Sequence, residues 1–173
     1  MSETDDTAPL QAVSLGASFD EFYRREFSRI AVVAGTVVGD RSAGEDIAQE
    51  ALAKAHGEWS HVSTLDKPGA WVRRVAINLG IGRKRRLVSE TRALFKLGQP
   101  AEAAAETRRG DPAIWAAVDE LAPRQRAVVA LRYLDDLSVA EIAEVLEISV
   151  SAATSNLHKA RTRLADLLGE SHG

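Results

Sequence analysis

Three groups of side chains in this chain have the types and spacing to do chemistry, and in each case it is recognition chemistry. Asp46, Gln49 and Glu50 sit at i, i+3 and i+4, which on a helix gathers two carboxylates and an amide on one side. Such a set pairs with exposed guanidinium groups and fixes register. Arg73, Arg74, Arg83, Lys84, Arg85 and Arg86 concentrate positive charge in a short span, the electrostatic footprint of phosphate binding. Near the C-terminus, Ser151, Ser155, His158, Lys159 and Thr162 fall on one helical face, short hydrogen-bonding side chains that suit base edges in a major groove. Catalysis has no counterpart here: the chain lacks a Gly-rich phosphate loop, a nucleophile beside a base, and an HExxH motif. Four scattered His and no Cys give no ligand set, so no catalytic residue, metal or cofactor is expected.

Composition sets what must hold these groups. The 173 residues suit one domain or two small ones, and 45% hydrophobic content is enough for packed cores. Aromatics are only 5%, so the cores are built from Ala, Val, Leu and Ile, which favours helices. No apolar run approaches the ~20 residues of a membrane span. The start, MSETDDTAP, has none of the marks of a secretory signal, and a cytoplasmic location is expected. The net charge of −3 conceals segregation: residues 1–58 hold eleven Asp/Glu against five Lys/Arg, residues 67–92 eight Lys/Arg against one Glu. An acidic surface for one partner and a basic surface for another follow.

Residues 1–17 are polar without helical period and are expected to be disordered. Phe19, Phe22, Phe27, Ile30, Val33 and Val37 then recur at helical spacing up to Gly39-Asp40. Ser42 and Glu45 carry a capping-box signature for a helix whose Ile47, Ala51, Ala55 and Trp59 share one face. A loop over Ser60–Lys67 precedes Pro68, which suits a first helical turn. The helix it opens turns Trp71, Val72, Val75, Ala76 and Leu79 inward and Arg73 and Arg74 outward. Gly80 and Gly82 weaken it, each by about 1 kcal/mol relative to Ala, so fraying of the basic cluster is expected. Residues 87–111 read as a linker.

A second unit opens near Pro112 with Ile114, Trp115, Val118 and Leu121. Gln125 to Leu134 follows, with Val128, Val129, Leu131 and Tyr133 available to a core. Asp135-Asp136 reads as turn chemistry. Ser138 and Glu141 form a capping box for a short helix with Val139, Ile142, Ala143 and Leu146 inward. After the turn Glu147-Ile148-Ser149, the last helix buries Val150, Ala153, Leu157, Ala160 and Leu164. Two short helices, a tight turn and a longer helix with a polar outer face are the layout of a helix-turn-helix.

Taken together, DIAQEAL (46–52), Trp59, KPGAWVRRVAINL (67–79) with its trailing RKRR, LAPRQRAVVALRYLDDLSVAEIAEVLEISV (121–150) and SNLHKARTRL (155–164) resemble the bacterial RNA polymerase sigma factors of the extracytoplasmic-function class. The resemblance covers about Phe19 to Leu168. It implies an all-α fold of two small helical domains joined by a flexible linker: a disordered tail at 1–17, region 2 at 18–87, a linker at 88–111 and region 4 at 112–169. It implies docking of Asp46, Gln49 and Glu50 on the β′ coiled coil of core polymerase, with the β flap as a further contact. It places Lys67, Trp71, Arg73, Arg74, Asn78, Arg83, Lys84, Arg85 and Arg86 at the −10 element, although Trp71 and Trp59 also suit core anchors. Ser151, Thr154, Ser155, Asn156, His158, Lys159 and Arg161 would meet the −35 element. Promoter DNA and an anti-sigma factor are the other implied partners, and no membrane insertion or enzymatic activity is implied.

This chain departs from the family at Glu147, where Gly is usual, and at Ala153, where a bulkier β-branched residue is. Basic residues are common at the positions of Thr154 and Asn156. Losing two cations lowers the salt dependence of binding, while Asn156 has the geometry to read adenine. The implied function is an alternative sigma factor directing promoter-specific initiation. The alternatives are a helix-turn-helix regulator acting without polymerase, whose mark would be self-association, and a sigma-like decoy that binds polymerase without productive DNA recognition.

Overall fold

The computed structural model describes residues 8–99 and 108–170. The N-terminal half comprises α1 (Ala8–Val38), α2 (Arg41–Gly57), α3 (Trp59–Val62) and α4 (Pro68–Lys96). The C-terminal half comprises α5 (Pro112–Asp119), α6 (Pro123–Val129) running into a π-helical turn at Ala130–Leu134, α7 (Val139–Leu146) and α8 (Val150–Glu170). No strand occurs among the described residues. Of the tail expected to be disordered, residues 1–7 lie outside the described residues, and from Ala8 the chain is already helical.

The first core forms where the helical periodicity places it. Phe22, Ile30 and Ala34 of α1 meet Ile47, Ala51, Leu52 and Ala55 of α2 and Val72 and Ala76 of α4. Phe19 abuts Trp59 edge-on at 5.1 Å between centroids. α1 and α2 cross so tightly that a Cβ on Gly44 would lie 2.5 Å from the Gly35 backbone. The turn between them uses Gly39 at φ +85°, and Asp40, not Ser42, caps α2, its carboxylate accepting from the Ala43 N–H at 2.6 Å. The capping-box reading therefore names the wrong residue: the helix starts at Arg41, two positions too early for Ser42 to cap it.

α4 differs most from expectation. It continues unbroken through Gly80 and Gly82 to Lys96, into the segment read as linker; the remainder of that segment at residues 100–107 lies outside the described residues. Gly80 is buried, and a Cβ there would meet Val37 at 3.3 Å, so the glycine lets α1 and α4 approach instead of breaking α4. Within the expected loop at 60–67, α3 contributes one helical turn.

The second core is not confined to the C-terminal half. Ala127, Val128, Ala130, Leu131, Ile142, Ala143, Val145, Ala153 and Leu157 form one apolar cluster with Val33 and Val37 of α1 and Ile77 of α4. Each of those three side chains contributes roughly 1.5–3 kcal/mol by leaving water. The two halves thus share a core. On α8 the buried stripe falls on Ala153, Leu157 and Ala160 as the wheel predicts, whereas Val150, at the first turn, is 53% exposed. Tyr133, read as available to a core, is half exposed, as is Ile114 at the start of α5. The π-helical turn rotates Tyr133 outward, where its ring receives the Arg161 guanidinium at 5.6 Å.

Candidate nucleic-acid interface

α2 projects Asp46, Gln49 and Glu50 into solvent, opposite the buried Ile47, Ala48, Ala51 and Leu52. Glu50 makes only a long ion pair with Lys54, at 3.8 Å one turn on. The predicted triplet is brought together on one open face.

The expected −10 residues are divided. Asn78, Arg85 and Arg86 are exposed, and Arg83 and Lys84 are half-buried. Trp71 packs against the first core, in keeping with an anchor. Arg73 was expected outward, and the structure corrects this: it is 6% exposed. Its Nη1 donates to Glu26 at 2.8 Å, and its Nε and Nη2 donate to the two carboxylate oxygens of Asp135 at 2.5 and 3.1 Å. Arg29 adds a contact to Asp135 at 3.2 Å. The fork geometry of guanidinium against carboxylate makes this the strong kind of ion pair. Burial pushes the Glu26 carboxyl up, but hydrogen bonds and charge from Arg25 and Arg73 outweigh it and hold Glu26 below the usual carboxylate range. Burial likewise opposes the charge on Arg73, and Asp135 and Glu26 together raise its pKa above the ordinary value.

Two neighbouring cations are also engaged across the shared core. Arg74 donates from Nε to the Val145 carbonyl and from Nη2 to the Glu144 carbonyl, both at 3.1 Å, and pairs with Glu147 at 2.9 Å. A cation thereby covers the unsatisfied carbonyl end of α7, where the helix dipole is negative. Lys67 reaches Glu144 at 2.6 Å, a hydrogen bond that raises its pKa. Glu147 itself sits at φ +54°, the left-handed position after a helix that Gly occupies most readily.

A second polar seam lies near Gly39. Arg126 donates to the carbonyls of Val37 and Leu121 at 3.1 and 3.0 Å and also to that of Asp119. Arg108 bonds Asp119 and lies over the Trp115 ring at 4.9 Å. Burial, then the charges of Arg126 and Arg108, lower the pKa of Lys84 here despite Asp119.

α7 and α8 take the helix-turn-helix arrangement. Ser138 and Glu141 form the predicted capping box, with bonds of 3.2 and 2.8 Å, and Ser149 caps α8 by accepting from the Ala152 N–H at 3.0 Å. Ser151, Thr154, Ser155, His158, Lys159 and Arg161 are exposed and Asn156 is half-buried. Arg161 is held by the Tyr133 hydroxyl at 2.5 Å, and Thr154 bonds back to the Val150 carbonyl at 2.9 Å. Sequence reasoning missed Asp135, Glu144 and Glu26. Asp135 was read as turn chemistry because its partner Arg73 is 62 residues away; the nearest available signal was the adjacent acidic pair in a chain whose basic face needed a counterpart.

Among the described residues no helix is long and apolar enough to cross a membrane, and no cluster of three His, Asp or Glu side chains is placed to hold a metal ion. Residues 112–164 match the family described as Sigma-70, region 4. The RNA polymerase sigma-E factor of Streptomyces coelicolor is 30% identical over 87% of this chain and 85% of its own length. The ECF RNA polymerase sigma factor SigW of Bacillus subtilis is 29% identical over 74% of this chain and 76% of its own. The fold is that of the sigma factor RpoE solved in complex with the anti-sigma factor NepR from Bartonella quintana, with a TM-score of 0.71, 19% identity and coverage of 88% of this chain and 97% of that one. With both helical blocks accounted for, the chain belongs to the extracytoplasmic-function RNA polymerase sigma factors.

Proposed function

We propose a division of labour for this sigma factor in promoter-directed initiation. Asp46, Gln49 and Glu50 dock region 2 on the coiled coil of polymerase β′, and region 4 adds a contact to the β flap. Lys67, Arg74, Asn78 and the run Arg83–Arg86 hold the −10 element, with Arg73 joining them once it is released from Asp135. The α8 face from Ser151 to Arg161 reads the −35 duplex. The protein performs no chemistry of its own and works in the cytoplasm, where an anti-sigma factor is its natural antagonist. The observation that carries this reading is the α8 face: six of its seven −35 candidates are exposed on a helix anchored by Ala153, Leu157 and Ala160, directly after a capped α7.

Run-off transcription with purified core polymerase and fragmented genomic DNA of the source organism, with and without the protein, tests it. Discrete new transcripts sharing −35 and −10 elements are expected. Core binding without any transcript would favour the decoy, and no core binding would favour a regulator that acts alone. For the docking face, Glu50→Lys should abolish core binding in a pull-down while circular dichroism stays unchanged, because the residue is exposed. Retained binding would remove this face from the assignment.

A further inference from the structure

Three acidic residues of the C-terminal half each engage a cation on or just before α4, and Asp135 also takes Arg29 of α1. Asp135 holds Arg73, Glu144 holds Lys67 and Glu147 holds Arg74. Separate anionic groups are thus presented to neighbouring cations on one stretch of α4 and the residue before it, the kind of partner that the phosphates of a strand also offer. Carbonyls of Glu144 and Val145 complete the resemblance by accepting from Arg74, as phosphate oxygens would. Glu147 is the telling member, because it stands in a left-handed conformation that favours Gly and its carboxylate reaches across to the other half. The α8 face, by contrast, is left open.

We propose that Asp135, Glu144 and Glu147 act as an intramolecular DNA mimic that occupies Lys67, Arg73 and Arg74, so that single-stranded DNA and region 4 compete for the same cations. The competition rests on the reading of those cations as −10 contacts; the closed contact itself does not. In the closed protein the duplex-reading helix is available, whereas Lys67, Arg73 and Arg74 are engaged and only the downstream cations such as Arg85 and Arg86 remain exposed. Promoter search and strand capture are thereby separated, and capture requires the halves to part. By linkage, whatever nucleic acid gains from the open form it must also contribute to opening it.

The full chain allows a direct test, since it has no Cys and fluorophores can be placed at Gly57→Cys and Arg163→Cys, both exposed. Energy transfer between the labels reports closure, and a mixed-sequence single-stranded DNA of about fifteen nucleotides serves as the probe. In the unaltered chain, adding the strand should lower energy transfer. In Glu144→Gln/Glu147→Gly, where the shared apolar cluster still joins the halves, energy transfer should fall at a several-fold lower strand concentration than in the unaltered chain. The salt dependence of binding should steepen by about 1.4 in log–log slope, as the release of Lys67 and Arg74 requires at about 0.7 per cation. Both substitutions are at exposed positions, so circular dichroism checks that the helices persist; Asp135→Asn, at the buried end, should shift the response to the strand in the same direction. If no variant opens at a lower strand concentration than the parent, the mimic is overturned. If the variants open more readily but the salt slope does not move, competition for these cations is overturned together with their −10 assignment, while the closed contact stands.

Discussion

α4 and α8 were equally entitled, by sequence, to a surface facing nucleic acid, and they are treated in opposite ways. On α8 the polar face that the helical wheel assigns to solvent is in solvent. On α4 the same arithmetic puts Arg73 outside, yet it is buried between Glu26 and Asp135. A wheel identifies the side of a helix that leaves its own core; it carries no information about a second layer that covers that side. Charge gave a hint that spacing could not, because an acidic turn and a basic helix on one chain have each other as the nearest partners.

Several experiments would break or sharpen this contrast. The largest effect is expected at Arg73→Ala, which strands two buried carboxylates and should cost about 3–5 kcal/mol, read as a lower urea midpoint. A cost under about 1 kcal/mol would mean that Arg73 is as free as the α8 side chains. Next comes acid. The lowered pKa of Glu26 means its contribution is complete above the ordinary glutamate value of about 4.3 and is lost as pH falls through the lowered one. Arg25 and Arg73 are the charges facing it. A stability profile should therefore fall only below that range, and Glu26→Gln should flatten the fall. Glu147→Gly sets relief of a left-handed residue, worth about 1–2 kcal/mol, against loss of a largely exposed ion pair, about 0–1 kcal/mol. A change in global stability within about 1 kcal/mol is expected, slightly upward. The smallest effect belongs to α8: His158→Ala should shift the urea midpoint by less than the equivalent of about 0.5 kcal/mol while changing −35 duplex affinity in a gel-shift titration.

Much of the fold was readable because it is local. The Ser138–Glu141 box needs only three residues of separation, and Ile47, Ala51 and Ala55 declare their face by period alone. What was not readable depends on distant partners. Gly80 looked like a weak point in a helix, and only the position of Val37 beside it explains why no larger residue fits comfortably. Asp135 looked like a turn residue and is among the most buried charges in the molecule. Tyr133 was sent inward by spacing, but the π-helical turn at 130–134 shifts the phase. For the candidate site, the exposure of Asp46, Gln49 and Glu50 and of the α8 face was legible from helical period. Among the cations of α4, Arg73 was misread in exposure, whereas Arg85 and Arg86 are exposed as expected.

The shared apolar cluster has a consequence for how long this protein survives. Parting the two halves sets Val33, Val37 and Ile77, all almost fully buried, against water together with their partners on α6 and α7. An open chain with no polymerase to cover that surface displays greasy, loosened helices, the feature by which proteases and chaperones recognise damaged proteins. In the closed protein that surface is covered, so the contact that joins the two halves should also lengthen its survival against proteolysis.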